Sequence, residues 1–182
     1  IRDSTKSSQL GLLILLLGPG QGSPKDTLET WPDLASKAGV VVCAIAPENS
    51  RRWQPKEIDV IASFAAAVLK KAPIDPSAVA VATSGSLSGG KAEASDAMAL
   101  VVSIAKSKTF FGVAVSPETR PPAIRFRENE ASESLQVLLP VDSPDEMPGW
   151  SAIFEQAGYP VIQGGKVGGL KLLRWVRLLQ AI

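Results

Sequence analysis

Residues 78–100, "AVAVATSGSLSGGKAEASDAMAL", decide the fold. The stretch runs from small and β-branched apolar residues through a Gly/Ser turn into an Ala-rich segment, the pattern of a buried strand turning sharply into a helix. Three chemical templates overlay the turn. Gly85 to Lys91 satisfies G-x-x-x-x-G-K, in which backbone amides wrap phosphates and a lysine neutralises them, but Ala92 stands where a metal-holding hydroxyl belongs. Ser88-Gly89-Gly90-Lys91 satisfies S-x-x-K, which places a lysine one helical turn from a serine it would have to deprotonate. Gly85-Ser86-Leu87-Ser88-Gly89 has the spacing of the strand-to-helix G-x-S-x-G turn, with Leu87 where the serine would stand.

Working outward, "LGLLILLLG" (residues 10–18) is a continuous apolar run that reads as a central strand covered on both faces. At nine residues it is less than half of the roughly 20 that a membrane-crossing helix needs. Ser23-Pro24 and Asp26-x-x-Glu29 open a helix with Leu28, Trp31, Leu34, Ala35 and Ala38 at helical spacing and Gly39 as its stop. A second buried strand is expected at Val40–Ala46. A helix then opens at Pro55 with Ile58, Ile61, Ala65, Val68 and Leu69 on one face, and "APIDPS" breaks it before a third strand at Ala78–Thr83. "FFGVAV", "LQVLLPV" and "YPVI" supply three more strands, and helices follow at about Gly90–Lys106, in "MPGWSAIFEQAG" and in "GLKLLRWVRLLQAI". Strands alternating with helices through short connections predict a three-layer α/β/α sandwich with a mostly parallel sheet, built as one domain over residues 1–182. The long polar connection Ser116–Ser134 has the length of a lid or binding loop and reads here as a surface excursion.

Charge excludes little and composition excludes much. Nineteen basic and 18 acidic residues leave a net charge of +1, so no long-range field selects nucleic acid or an anionic membrane. The single cysteine, Cys43, rules out an internal disulfide or a cysteine-rich zinc site and sits in an apolar strand. The chain contains no histidine. A Ser-His-Asp or Cys-His arrangement needs an imidazole to take the nucleophile's proton near neutral pH, so the standard triad is excluded, and histidine-ligated metal sites fall with it. Neither a cofactor nor a metal is expected.

Across almost its whole length the chain resembles the α/β-hydrolase superfamily. "GLLILLLGPGQG" is similar to the strand and oxyanion loop, with Gly18, Gly20 and Gly22 in the loop and Gly18 where the family often has histidine. The segment from "WPDLASKAG" to "VAVATSG" resembles the following helix, strand, helix and turn-bearing strand, including Asp75-Pro76. "LQVLLPVDSPDE" is similar to the strand and loop that carry the acid, and "AGYPVIQGGKVGGLKLLRWVRLL" resembles the last strand, the loop that usually bears histidine and the final helix. The usual first two strands of that family have no counterpart, which implies a sheet that begins at the third strand or borrows its edge from upstream sequence, a choice on which an exposed edge at the Leu10 side would bear. More narrowly, "SRRW" after the second strand and "RW" in the final helix resemble the degenerate hydrolase-like C-terminal domain of planctomycete proteins that also carry trypsin-like protease and PDZ modules.

Carried over position by position, the resemblance implies a triad with two members missing. Leu87 holds the nucleophile position, "QGGKVGG" has no histidine, and the acid position retains Asp142 or Asp145. It therefore implies a catalytically degenerate domain that binds or scaffolds within a longer, protease-containing protein, its partners being other domains of the same chain or another protein, in the cell envelope or periplasm. The alternative is an active serine hydrolase using Ser86 or Ser88 with Lys91, and the third is a nucleotide binder through Gly85–Lys91. The missing hydroxyl at Ala92 weighs against magnesium-dependent nucleotide affinity.

Overall fold

Runs of apolar residues that cannot be solvated on either side are stable only between two helical layers, and this requirement sets the architecture. The computed structural model describes residues 9–85, 93–118, 135–165 and 168–179. Six strands form one all-parallel sheet: β1 (Leu10–Leu16), β2 (Val40–Ile45), β3 (Ile74–Thr83), β4 (Gly112–Ala114), β5 (Gln136–Leu139) and β6 (Val161–Gln163), in the spatial order β2-β1-β3-β4-β5-β6. The helices are α1 (Pro24–Leu28), α2 (Pro32–Ala38), α3 (Glu57–Lys71), α4 (Glu93–Ala105), α5 (Ser151–Gln156) and α6 (Gly169–Leu178).

Alternation along each strand divides the core into two layers. Leu12, Ile14, Leu16, Val79, Val81 and Val113 face the side covered by α3, α4 and α5, through Ile61, Val102 and Phe154. Leu13, Leu15, Ala80, Ala82 and Ala114 face the side covered by α2 and α6, through Trp31, Leu172, Trp175 and Val176. The expected three-layer sandwich is therefore present, and the sheet is parallel throughout.

Three expectations are corrected. The helix read across residues 23–38 is two helices, because Pro32 cannot continue the first and instead opens the second; Ser23 Oγ accepts from Asp26 N–H (3.2 Å) to cap α1, and Gly39 at φ +65° ends α2. The third strand begins at Ile74, not Ala78. Asp75 Oδ1 accepts from Ser77 N–H (2.9 Å) and Ser77 Oγ–H (2.6 Å), so "DPS" forms a bulge within β3 where the register with β1 shifts. β1 is paired with β2 and β3 on its two sides, so no exposed edge lies at Leu10, and β2 is the edge strand at that end of the sheet. For the same reason Val41–Ile45 are half-buried, where a fully buried inner strand was expected. Cys43 shares that half-buried position, and burial pushes its thiol pKa up. Because the thiolate is the reactive form, iodoacetamide is expected to alkylate Cys43 several-fold more slowly than free cysteine at neutral pH, with a rate that goes on rising above the ordinary thiol range. A rate and pH profile equal to those of free cysteine would contradict the burial.

No helix among the described residues is long and apolar enough to cross a membrane.

Candidate functional site

The strand order reverses at β1. From β1 the chain crosses to β2 on one side, then returns past β1 to β3 and proceeds away to β6. Loops leaving the C-terminal ends of β1 and β3 therefore diverge, and in open parallel sheets the crevice between such loops is where ligands bind.

Gly18 to Gln21 line the β1 side of that crevice. Gln21 N–H donates to Gly18 C=O (3.0 Å) with Pro19 and Gly20 between them, a tight turn in which proline pre-sets the first central residue and Gly20, at φ +74°, takes the left-handed position a side chain would resist. Gln21 then folds back, and its Oε1 accepts from Gly18 N–H (3.1 Å). The carboxamide lies so close over Gly18 that a Cβ built there would stand 2.5 Å from Gln21 Cδ. Gly22, at φ +54°, is exposed with open space around it.

On the β3 side, Ser84 Oγ–H donates to the same Gln21 Oε1 (2.9 Å), so one carboxamide oxygen spans the crevice. One residue earlier, Thr83 is fully buried and its Oγ1–H donates to Asp96 Oδ1 of α4. Asp96 is fully buried as well. This pair ties the end of β3 to the start of α4. Ser86, Leu87, Ser88 and Lys91 lie outside the described residues, as does most of the connection Ser116–Ser134.

The two acid candidates separate. Asp142 lies just past the end of β5, beyond Pro140 and Val141, and is exposed; its N–H donates to Glu146 Oε2 (3.1 Å), and its Oδ1 lies 3.8 Å from a Cβ built on Gly165, in the loop after β6. Gly164 N–H donates to Leu139 C=O (2.9 Å), which holds that loop against the end of β5. Asp145 sits in the short 3-10 turn Pro144–Glu146, exposed, with its N–H donated to Ser143 Oγ (3.3 Å). The fold thus brings Asp142, and not Asp145, to the loop whose sequence resembles the histidine-bearing one.

Sequence reasoning missed Gln21, Thr83, Asp96 and Glu57. Glu57 is buried at the start of α3, where its carboxylate accepts from Glu48 N–H (2.8 Å) and Gln54 N–H (2.5 Å) and so fixes the loop after β2. Beside it lies a cavity of about 370 Å³ lined by Ile45, Ala46, Trp53, Val60 and Ile61 together with Glu48, Lys56 and Glu57. Its lining includes neither the Gly18 turn nor Asp142. Lys56 Nζ and Glu48 form an exposed ion pair at its mouth (2.5 Å), which holds the Glu48 carboxyl below and the Lys56 ammonium above their usual pKa ranges. Among the described residues no group of three metal-ligating side chains comes together.

No protein-family model and no curated protein matches the sequence. Solved structures do. An esterase from the fungus Rhizomucor miehei matches with a TM-score of 0.60 at 18% identity, covering 99% of this chain and 77% of the esterase. Carboxylesterases from Bacillus cereus (TM-score 0.55, 14% identity) and Mesorhizobium loti (0.54, 16%) each match over 94% of this chain and 88% of their own. An open, all-parallel sheet with this strand order, helices on both faces and these neighbours defines the α/β-hydrolase fold. At such identities the likeness is one of fold.

Proposed function

We propose that this chain is a ligand-binding domain on an α/β-hydrolase scaffold that does not hydrolyse esters or peptides by the serine-histidine route. One observation carries the reading: the sequence has no histidine, so no side chain near neutral pKa is present to deprotonate a serine in the turn after β3. The turn after β1 adds support. Pro19 has no N–H to donate, and the Gly18 amide is already held by Gln21, so that turn is short of amides free to stabilise an oxyanion. In this reading Asp142 is the remnant of the acid position, Leu87 replaces the nucleophile, and Gly18, Gly20 and Gly22 shape the crevice. The domain acts as an accessory module of a longer protein, and a protease module in the flanking sequence of the intact gene product would be the corresponding context.

A second reading is favoured by the neighbours, which are esterases by name. In it Ser86 or Ser88 is the nucleophile and Lys91 its base. That requires Lys91 to lose a proton it ordinarily keeps up to a pKa of about 10.4. The two readings part in one experiment. Purified domain is expected to show no labelling by a fluorophosphonate probe and no cleavage of p-nitrophenyl acetate above a heat-denatured control. Covalent labelling that disappears in Ser86→Ala or Ser88→Ala would establish the hydrolase and dismiss the binding-only reading.

A further inference from the structure

The charges around the cavity beside α3 are all paired, and one hydrogen-bond donor in its wall is not. Lys56 Nζ is held by Glu48, and the Glu57 carboxylate accepts from Glu48 N–H (2.8 Å) and Gln54 N–H (2.5 Å). Trp53 lines the same cavity at 9% exposure, and its Nε1–H is buried with no acceptor among the described residues. We infer that this cavity is a binding site for a small, uncharged, apolar molecule carrying a hydrogen-bond-accepting oxygen, which takes the Trp53 Nε1–H.

Each part of that description follows from the walls. Ile45, Ala46, Trp53, Val60 and Ile61 make the lining mainly apolar, and about 370 Å³ lies within the range of small-molecule sites. A hollow lined this way holds water poorly and gains from an apolar guest. Because the charges at the rim are already paired, a charged ligand would give up hydration without finding a counter-ion. The indole N–H sets the remaining requirement. A buried donor without an acceptor costs free energy, since water satisfies it in the unfolded chain, and an oxygen delivered by the guest recovers that loss. The rest of Trp53 belongs to the apolar core layer beneath α3, so the cavity is the side from which an acceptor can come.

The entrance is open and the walls are fixed. Val60 is 57% exposed, and Lys56 and Glu48 are exposed at the mouth. Ile61 is fully buried behind them, and Glu57 fastens the loop that carries Trp53 to the first turn of α3. The site lies where the edge strand β2 ends, at Ile45, and uses nothing from the crevice between β1 and β3. It therefore goes beyond the reading above and does not depend on it.

Cyclohexanone and methylenecyclohexane differ only in exchanging a carbonyl oxygen for a CH₂ group of similar shape, and they serve as the probes. In the ¹⁵N-labelled domain, cyclohexanone is expected to move the Trp53 Nε1–H resonance downfield saturably, with half-saturation at about millimolar concentration. Methylenecyclohexane should bind about three- to tenfold more weakly and without the downfield movement. Cyclohexanecarboxylate and cyclohexylammonium should leave the resonance in place. Trp53→Phe keeps a ring in the wall and deletes the donor, so it should bring the affinities for the two neutral probes together, read from the Val60 and Ile61 amides. Should Trp53→Phe fail to fold, Val60→Arg decides, because its site on the rim is exposed and the new charge should weaken cyclohexanone binding several-fold in a folded domain. A Trp53 Nε1–H that does not respond to cyclohexanone up to its solubility limit overturns the inference, as does equal affinity for the two neutral probes in the unaltered domain. A Trp53 resonance that shifts on dilution of the protein alone also overturns it, since a second copy would then be what covers the cavity.

Discussion

Replacing Gly112 with valine is expected to destabilise the domain by about 3 kcal/mol or more, a fall in Tm of roughly 6–12 °C for a chain of this size. Gly112 begins β4, in the middle of the sheet, paired with Ala80 of β3 and Gln136 of β5. The face it presents is covered by α6, and a Cβ there would stand 2.6 Å from Trp175 Cη2 and 2.9 Å from both Trp175 Cζ2 and Leu179 Cδ1. Those atoms have nowhere easy to go. Trp175 is 8% exposed and belongs to the layer that also contains Leu172, Leu173 and Val176, so its indole cannot swing into solvent without uncovering that layer. The backbone of Gly112 has no positive φ, so the penalty is spatial and should scale with side-chain size, from alanine to valine. Thermal unfolding of Gly112→Ala, Gly112→Val, Trp175→Leu and the Gly112→Val/Trp175→Leu double variant tests the cause. The double variant should be more stable than the sum of the single losses predicts, because shrinking the indole relieves the clash. Strict additivity would show that Trp175 is not what valine meets.

The same contact shows what was legible in the sequence. "AVAVAT" alternates alanine with valine, and "FFGVAV" continues the pattern with Gly112 and Ala114 against Val113 and Val115. Period-two alternation of size, not of polarity, marks a strand buried on both faces with a bulky neighbour on one of them. Strand existence, order of elements and the α/β class follow directly from such runs and from the helices between them. The edge was harder to read. Val40–Ile45 is as apolar as an inner strand, yet it is an edge, because apolar side chains pack against helices above and below whether or not another strand lies beside them. Composition reports on faces and is blind to lateral pairing.

Of the site, the sequence displays the turns and not the contacts that organise them. Gly18 and Gly20 are recognisable as turn residues from glycine spacing. Gln21 reads as a loop residue, since nothing local reveals that its carboxamide meets a serine 63 positions later. Asp142 and Asp145 are equivalent as letters, and only the packing of the loop after β6 against the end of β5 sets Asp142 apart.

Asp96→Ala is expected to destabilise the domain by about 3 kcal/mol, and Thr83→Val by about half as much. Both residues are fully buried, and Thr83 Oγ1–H donates to Asp96 Oδ1. A buried polar group is tolerated only while its partners are present, because water cannot replace them. Removing Asp96 strips an acceptor from buried surroundings and leaves a void beside the start of α4; replacing Thr83 by the isosteric valine fills the same volume and deletes a single donor. The ranking Asp96→Ala over Thr83→Val follows from that difference. Position in the fold gives the pair a further consequence. It clamps the end of β3, where Ser84 follows, to the start of α4, so loosening it should release Ser84 and Gly85 before the sheet itself is affected. Hydrogen exchange of Thr83→Val is therefore expected to accelerate at Ser84 and Gly85 while Leu13, Ile14 and Val81 remain protected. Uniform acceleration across β1 and β3 would assign the pair to global stability alone and remove its role in holding the crevice in shape.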